Sequence, residues 1–490
     1  NSGNLGANVV LASKMVIENG ATLRTAATVT TNSPIKFESE AGGIIENPND
    51  FTANKTLSGT VAYKKGGGTL ILTNNNTSLN KLVLVAGTVK NQAITIPAKE
   101  VELQGGTLTE SRSTSYPIIV AKGKSAKWNL AERNTYTNKI TGEGTLSIYC
   151  PLVSGGSWMA PRTPVKCNMS EFEGTLKPQL PYKDNRFTLD NSYGLPKATM
   201  DIPNGMEVQN TGKVFAIGKV TGTGALGGLV DFGKGVSGYN TWKVGNETNY
   251  RWSGKITGTS TAFVKIGSGK LTVDGNWDNT GSVKVAEGEL CLTSGKVIGT
   301  GAVTVDKDAR LSGVTGTASL TNSSYTINGE LVVGVFANAT SGKINFGGKN
   351  VTISSTGKYV VGKGSYSNTT IDDINTLTIN GTIEVVFASS YTPKDGDVVT
   401  LWTANKFAGT PNYVLPNLPL GMAWNMSKVS EGILTIVADP TAIDVVPFGA
   451  KYGHNDIYDL KGQLVRKNAT STEGLPSGVY FRNGKKIVVK

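Results

Sequence analysis

Gly68-Thr69-Leu70, Gly87-Thr88-Val89 and Gly106-Thr107-Leu108 repeat one short phrase at two successive spacings of 19 residues. The phrase returns as Gly269-Lys270-Leu271 and Gly288-Glu289-Leu290, again 19 apart. It continues through Ala309-Arg310-Leu311, Gly329-Glu330-Leu331, Gly357-Lys358-Tyr359 and Gly381-Thr382-Ile383. A sustained period of this size marks a solenoid, in which each repeat buries its apolar face only against its neighbours. Between the phrases run short alternating segments such as Lys81-Leu82-Val83-Leu84-Val85, Ser282-Val283-Lys284-Val285 and Ala302-Val303-Thr304-Val305. Strict alternation reads as strand, with Leu and Val inside and Thr, Asn and Lys towards water. Pairs such as Asn19-Gly20, Asp274-Gly275, Asn328-Gly329 and Asn380-Gly381 supply corners, since both residue types tolerate the left-handed conformation.

Composition agrees with this reading. The 490 residues include 61 Gly, and charged and aromatic side chains make up only 17% and 7%. A chain this long normally splits into several globular domains, but a solenoid grows in one dimension. The net charge of +12 is scattered, with no long run of one sign. It predicts weak affinity for anionic polymers or surfaces, and no helix-turn-helix, RNP or zinc-finger pattern points to nucleic acid. No apolar stretch approaches the length of a transmembrane segment. Asn1-Ser2-Gly3-Asn4 carries no signal-like run, and the expectation is a numbering that begins after a removed leader or inside a larger protein. Cys150, Cys167 and Cys291 are too few for a disulfide scaffold; Cys150 and Cys167, one period apart, are either bridged or two small core residues. With His454 the only histidine and far along the chain, a Cys/His metal site is not expected.

The period divides the chain. Residues 1–146 form a first solenoid half and 222–385 a second. Between them, 147–221 holds Pro151, Pro161, Pro164, Pro178, Pro181 and Pro196, and predicts an interrupted solenoid with long loops. After Ile383 the repeat stops. Residues 386–438 then read as a cap over the open edge, and 443–490 as a small C-terminal β module. The fold expected is all-β: a right-handed parallel β-helix with a cap and a small β-sandwich module.

Two resemblances sharpen this. Lys265-Ile266-Gly267-Ser268-Gly269-Lys270-Leu271-Thr272-Val273-Asp274-Gly275, followed by Thr280-Gly281-Ser282-Val283-Lys284-Val285-Ala286-Glu287-Gly288-Glu289-Leu290, resembles the autotransporter-associated β-strand repeats of bacterial secreted proteins. Asp395-Gly396-Asp397 and Leu415-Pro416-Asn417-Leu418-Pro419-Leu420-Gly421-Met422-Ala423-Trp424 resemble the cap of that family. The likeness covers about half the chain and implies an exported β-helix displayed outside the cell, but no single activity. At the C-terminus, Ile457-Tyr458-Asp459-Leu460-Lys461-Gly462-Gln463-Leu464-Val465 and Gly474-Leu475-Pro476-Ser477-Gly478-Val479-Tyr480-Phe481 are similar to sorting domains of the type IX secretion system of Bacteroidota. That implies export machinery as a partner of residues 443–490 and a secreted or cell-surface location.

The chemistry is thin. Nucleophile-elbow, phosphate-loop and zinc-protease motifs are absent. A glycoside hydrolase needs two nearby carboxylates, and Glu171 and Glu173 share a strand face; Asp372-Asp373 is the other acidic pair. A polysaccharide lyase would need Ca²⁺ or another cation beside an Arg or Lys base, the one reading that implies a cofactor. Trp242, Tyr250, Trp252 and Trp277 fall within about two coils, near Lys243, Arg251 and Lys255. Exposed, these rings would make a sugar-stacking platform suited to an acidic glycan; otherwise they are packing. The sequence therefore reads as a surface β-helix, adhesin-like or a carbohydrate-binding spacer, whose expected partner is a glycan or a host or cell-surface polymer, anionic or neutral. The alternatives are a β-helix lyase or hydrolase, or the stalk of a larger polysaccharide-degrading enzyme.

Overall fold

A computed structural model describes residues 14–74, 78–92, 98–150, 165–180, 186–211, 214–228, 240–313, 316–334, 342–365, 367–439, 455–482 and 485–489. Pro151, Pro161, Pro164, Pro181 and His454 lie outside them. The main unit is a right-handed parallel β-solenoid. Each coil lays short strands on three faces. Met15–Ile17, Thr22–Arg24 and Val29–Thr31 open the stack, and Ile35–Phe37, Gly43–Glu46 and Phe51–Ala53 pair above them in parallel register.

The repeated phrase belongs to the third face. Thr69–Leu72, Thr88–Asn91 and Thr107–Glu110 pair in register there, so that Leu70, Val89 and Leu108 form one inward column. In the second half Lys270–Val273, Glu289–Leu292, Arg310–Gly313, Glu330–Val333, Lys358–Lys363 and Thr382–Phe387 do the same. Leu271, Leu290, Leu311, Leu331, Tyr359 and Ile383 stack without solvent exposure. Each such aliphatic side chain contributes about 1.5–3 kcal/mol of burial, and the column repeats that term once per coil.

The corner between the second and third faces explains the glycines. Lys64 and Lys265 point inward there, fully buried. Lys64 Nζ donates to the carbonyls of Lys65, Gly66 and Ala86, and Lys265 Nζ to those of Ile266, Gly267 and Glu287. Gly87 and Gly288 pass directly over these clamped turns with φ of 75° and 63°. The corner between the first and second faces uses asparagine instead. Asn279 Nδ2 donates to the carbonyls of Thr261 and Gly281, and Asn322 Nδ2 to those of Ile298 and Gly301. Both devices satisfy carbonyls that a tight turn removes from the strand ladders.

Two expectations change. Stacking is not interrupted across the described parts of 147–221. Thr145, Thr175, Thr199 and Lys219 follow one another in register on the third face. Gly174-Thr175-Leu176 is itself a copy of the phrase, spaced beyond the usual period by the intervening 151–164. Leu195–Ile202 and Val214–Gly222 are long strands that bend from one face to the next; Ile217 pairs with both Leu195 and Val244. Nor does the solenoid stop at Ile383. Trp402–Ala408 and Asn412–Val414 add a further coil, with Asn412 and Tyr413 opposite Thr382 and Ile383. Pro411-Asn412-Tyr413 occupies the phrase position without its glycine.

A second compact unit comprises residues 393–398, 417–427 and 434–490. In it, Met422–Asn425 runs antiparallel to the strand ending at Ala438. Ile457–Tyr458, Leu464–Arg466, Gly478–Arg482 and Lys485–Val489 form an antiparallel sheet. Ile457, Ala469 and Tyr480 make its small core, flanked by Leu475, Ile487 and Val489.

Candidate functional site

The four predicted platform rings lie inside the solenoid. Trp242, Trp252 and Trp277 are at most 2% exposed and Tyr250 9%. Trp242 Nε1 donates to the Gly227 carbonyl at 3.0 Å, and its ring meets Phe215 edge-on at 5.5 Å. Trp277 packs between Trp252 and Phe263, at centroid distances of 6.0 and 4.6 Å. Tyr250 and Trp252 do share a strand face, but it is the inner one. Arg251 between them takes the outer face and pairs with Asp274 at 3.2 Å. The structure thus corrects the platform to a buried aromatic cluster. Of the neighbouring cations, Lys255 is held by Asp278 at 2.9 Å, and Lys243 is exposed.

Three of the four acids in these pairs meet a cation from an adjacent coil. Lys197 Nζ lies 2.7 Å from Glu171 Oε2 and 3.6 Å from Glu173 Oε1, so the two carboxylates converge on one ammonium. That hydrogen bond holds the Glu171 carboxyl below its ordinary range. A hydrolase sets one ionised carboxylate against one acid kept protonated as a proton donor, whereas here both side chains face a single shared ammonium. Asp372 pairs with Lys343 at 2.7 Å, and Asp373 sits exposed in a left-handed conformation with φ of 52°. Among the described residues no group of three His, Cys, Asp or Glu side chains is placed to hold a metal ion. No helix among them is long and apolar enough to cross a membrane.

Outward charges instead form ladders. The middle residue of the repeated phrase points outward, and in the second half it reads Lys270, Glu289, Arg310, Glu330 and Lys358 up the stack. Arg310 reaches Glu330 at 2.5 Å and Glu289 at 3.7 Å. Lys358 reaches Glu330 at 2.7 Å and Glu384 at 3.1 Å. Partial burial would raise the Glu330 carboxyl, but the hydrogen bonds from Lys358 and Arg310 outweigh it and hold it low. Similar pairs join Lys122 to Glu143, Lys177 to Asp201 and Lys284 to Asp306.

Cys150, Cys167 and Cys291 are free, buried thiols, so the possible Cys150–Cys167 bridge is not formed. Burial pushes the Cys150 thiol up to about 12. Composition and spacing did not single out Glu110, the one acid buried among the described residues of the first half. Glu110 sits at an inward position among Asn91, Tyr116 and Trp128. Its only sequence signal is an acid at an alternation point that should be apolar.

No protein-family model matches the chain, and no curated protein matches it.

Proposed function

We propose that this chain is an exported, surface-displayed β-solenoid that acts as a spacer and adhesive scaffold, and not by turnover. The supporting observation is the charge ladder on the third face. The outward acids there, like Glu171 and Glu173, are each met by a cation from an adjacent coil, which favours a self-satisfied surface over a reactive one. Residues 443–490 address the chain to an export machinery, a reading carried by their likeness to sorting domains and supported by their own small antiparallel sheet and core. The partner is a glycan or other anionic polymer met through the scattered excess of positive charge, and binding should weaken as salt rises.

One experiment tests the reading. Beads coated with the chain are mixed with cells and with pectins, glycosaminoglycans and neutral polysaccharides, and adhesion and soluble products are measured in the same tubes. Salt-sensitive adhesion without product is expected. Release of unsaturated or reducing sugar ends overturns the scaffold reading in favour of a lyase or hydrolase.

A further inference from the structure

Glu110 closes the third-face strand Thr107–Glu110, at a position that points into the solenoid. It is 2% exposed, and Asn91 and Tyr116 beside it are each 1% exposed. Asn91, its register partner one coil earlier, donates Nδ2 to Glu110 Oε2 at 2.9 Å. The Tyr116 hydroxyl is hydrogen-bonded to Oε1. The indole N–H of Trp128, from the following coil, faces the carboxyl without closing a hydrogen bond. Tyr116 is tied onward, because its carbonyl accepts Asn138 Nδ2 at 2.7 Å and Asn138 Oδ1 accepts the Thr114 hydroxyl at 3.0 Å. The network therefore links four successive coils, those of Asn91, Glu110, Tyr116 and Asn138.

The groups that act on that acid are neutral. They are Asn91, Tyr116 and Trp128, with the Tyr136 phenol further out and the Cys150 and Cys167 thiols behind it. An ionised carboxylate accepts about four hydrogen bonds, and here two donors and, among the described residues, no cation reach it. A protonated carboxyl needs less: it carries no charge, and its oxygens accept from the Tyr116 hydroxyl at Oε1 and from Asn91 Nδ2 at Oε2.

We propose that Glu110 is a proton switch inside the solenoid: protonated, it locks the coils carrying Asn91, Glu110, Tyr116 and Asn138 together, and ionised, it loosens them. Burial pushes its carboxyl up to about 7, and the bonds from Tyr116 and Asn91 only partly offset this. The folded coils then hold the proton more tightly than the opened chain does. Their stability is full in weak acid, falls as pH rises from about 4.5 to about 7, and is level above that. From those two values, protection of these coils drops roughly 70-fold between about pH 5 and about pH 8.

The test is amide hydrogen exchange followed by mass spectrometry on the full chain, corrected for intrinsic rates, with peptides over 107–140 compared against 283–333. Protection of 107–140 should fall by that factor in the unaltered protein while the reference stays level. Glu110→Gln, neutral at every pH and nearly the same size, should abolish the difference. Protection independent of pH in the unaltered protein, or the same dependence in Glu110→Gln, overturns the proposal. Infrared spectra of the unaltered protein with labelled glutamate give a readout that needs no variant. A buried protonated carboxyl should persist to about pH 7; complete ionisation by about pH 5 sinks the switch.

Discussion

Gly288→Ala and Gly295→Ala together separate two demands that the fold places on glycine. Both residues have left-handed backbones, with φ of 63° and 71°. A methyl at Gly295 would meet nothing within 4 Å. A methyl at Gly288 would lie 2.5 Å from the Gly267 carbonyl oxygen, 2.6 Å from that of Gly269 and 2.7 Å from that of Ser268. Those oxygens belong to the turn held from inside by Lys265, so they have little room to retreat. Gly295→Ala should cost only the left-handed conformation, about 1–2 kcal/mol. Gly288→Ala adds overpacking against fixed backbone, typically about 1–3 kcal/mol, for a total of about 2–5 kcal/mol. Because coils support only their neighbours, the loss should be local. Hydrogen exchange at Glu289–Leu292 and the strands above and below it is the assay. Equal losses at the two positions would show that glycine serves the backbone angle alone, and that close stacking of corners is not what the phrase encodes.

Three further outcomes follow from the same geometry. Trp277→Ala empties the space between Trp252 and Phe263 and should destabilise the chain by about 3–5 kcal/mol in denaturant melts; unchanged stability would return the ring to the surface. Thiol titration at about pH 8 should find no fast-reacting cysteine in the native protein, since burial disfavours the thiolates, and three after unfolding without reductant. A single thiol would reveal a Cys150–Cys167 bridge. Arg310→Glu replaces two attractive contacts with two repulsive ones. With about half its side chain exposed, it should cost about 1–2 kcal/mol at low ionic strength and clearly less in high salt. A salt-independent loss would mean the ladder acts through packing instead of charge.

The solenoid was legible because Gly-x-Leu carries both of its requirements, an inward Leu and a corner that tolerates no side chain. The copy at Gly174-Thr175-Leu176 was equally readable. Its distance along the chain hides it, because the 151–164 stretch lengthens the period while Thr145 and Thr175 still stack in register. The same limit hid the last coil, where Pro411 replaces the glycine. For the aromatic group, alternation established that Tyr250 and Trp252 share a side, but a two-residue period does not name the inner side. Arg251 between them does, since a guanidinium stays in water unless something pairs it inside. Cross-coil ion pairs were out of reach, because they join residues about 20 apart whose register depends on every intervening corner.

The alternating ladder of Glu289, Arg310, Glu330 and Lys358 also bears on how such a chain changes length. A stack of near-identical coils is prone to miscounting, since a skipped coil leaves the apolar column intact. Here, looping out the coil of Arg310 would set Glu289 against Glu330, and looping out that of Glu330 would set Arg310 against Lys358. Omitting or duplicating two coils restores the alternation. The charges thus act as a parity check on assembly, and gene duplication in this part of the rod should be tolerated best in pairs of repeats.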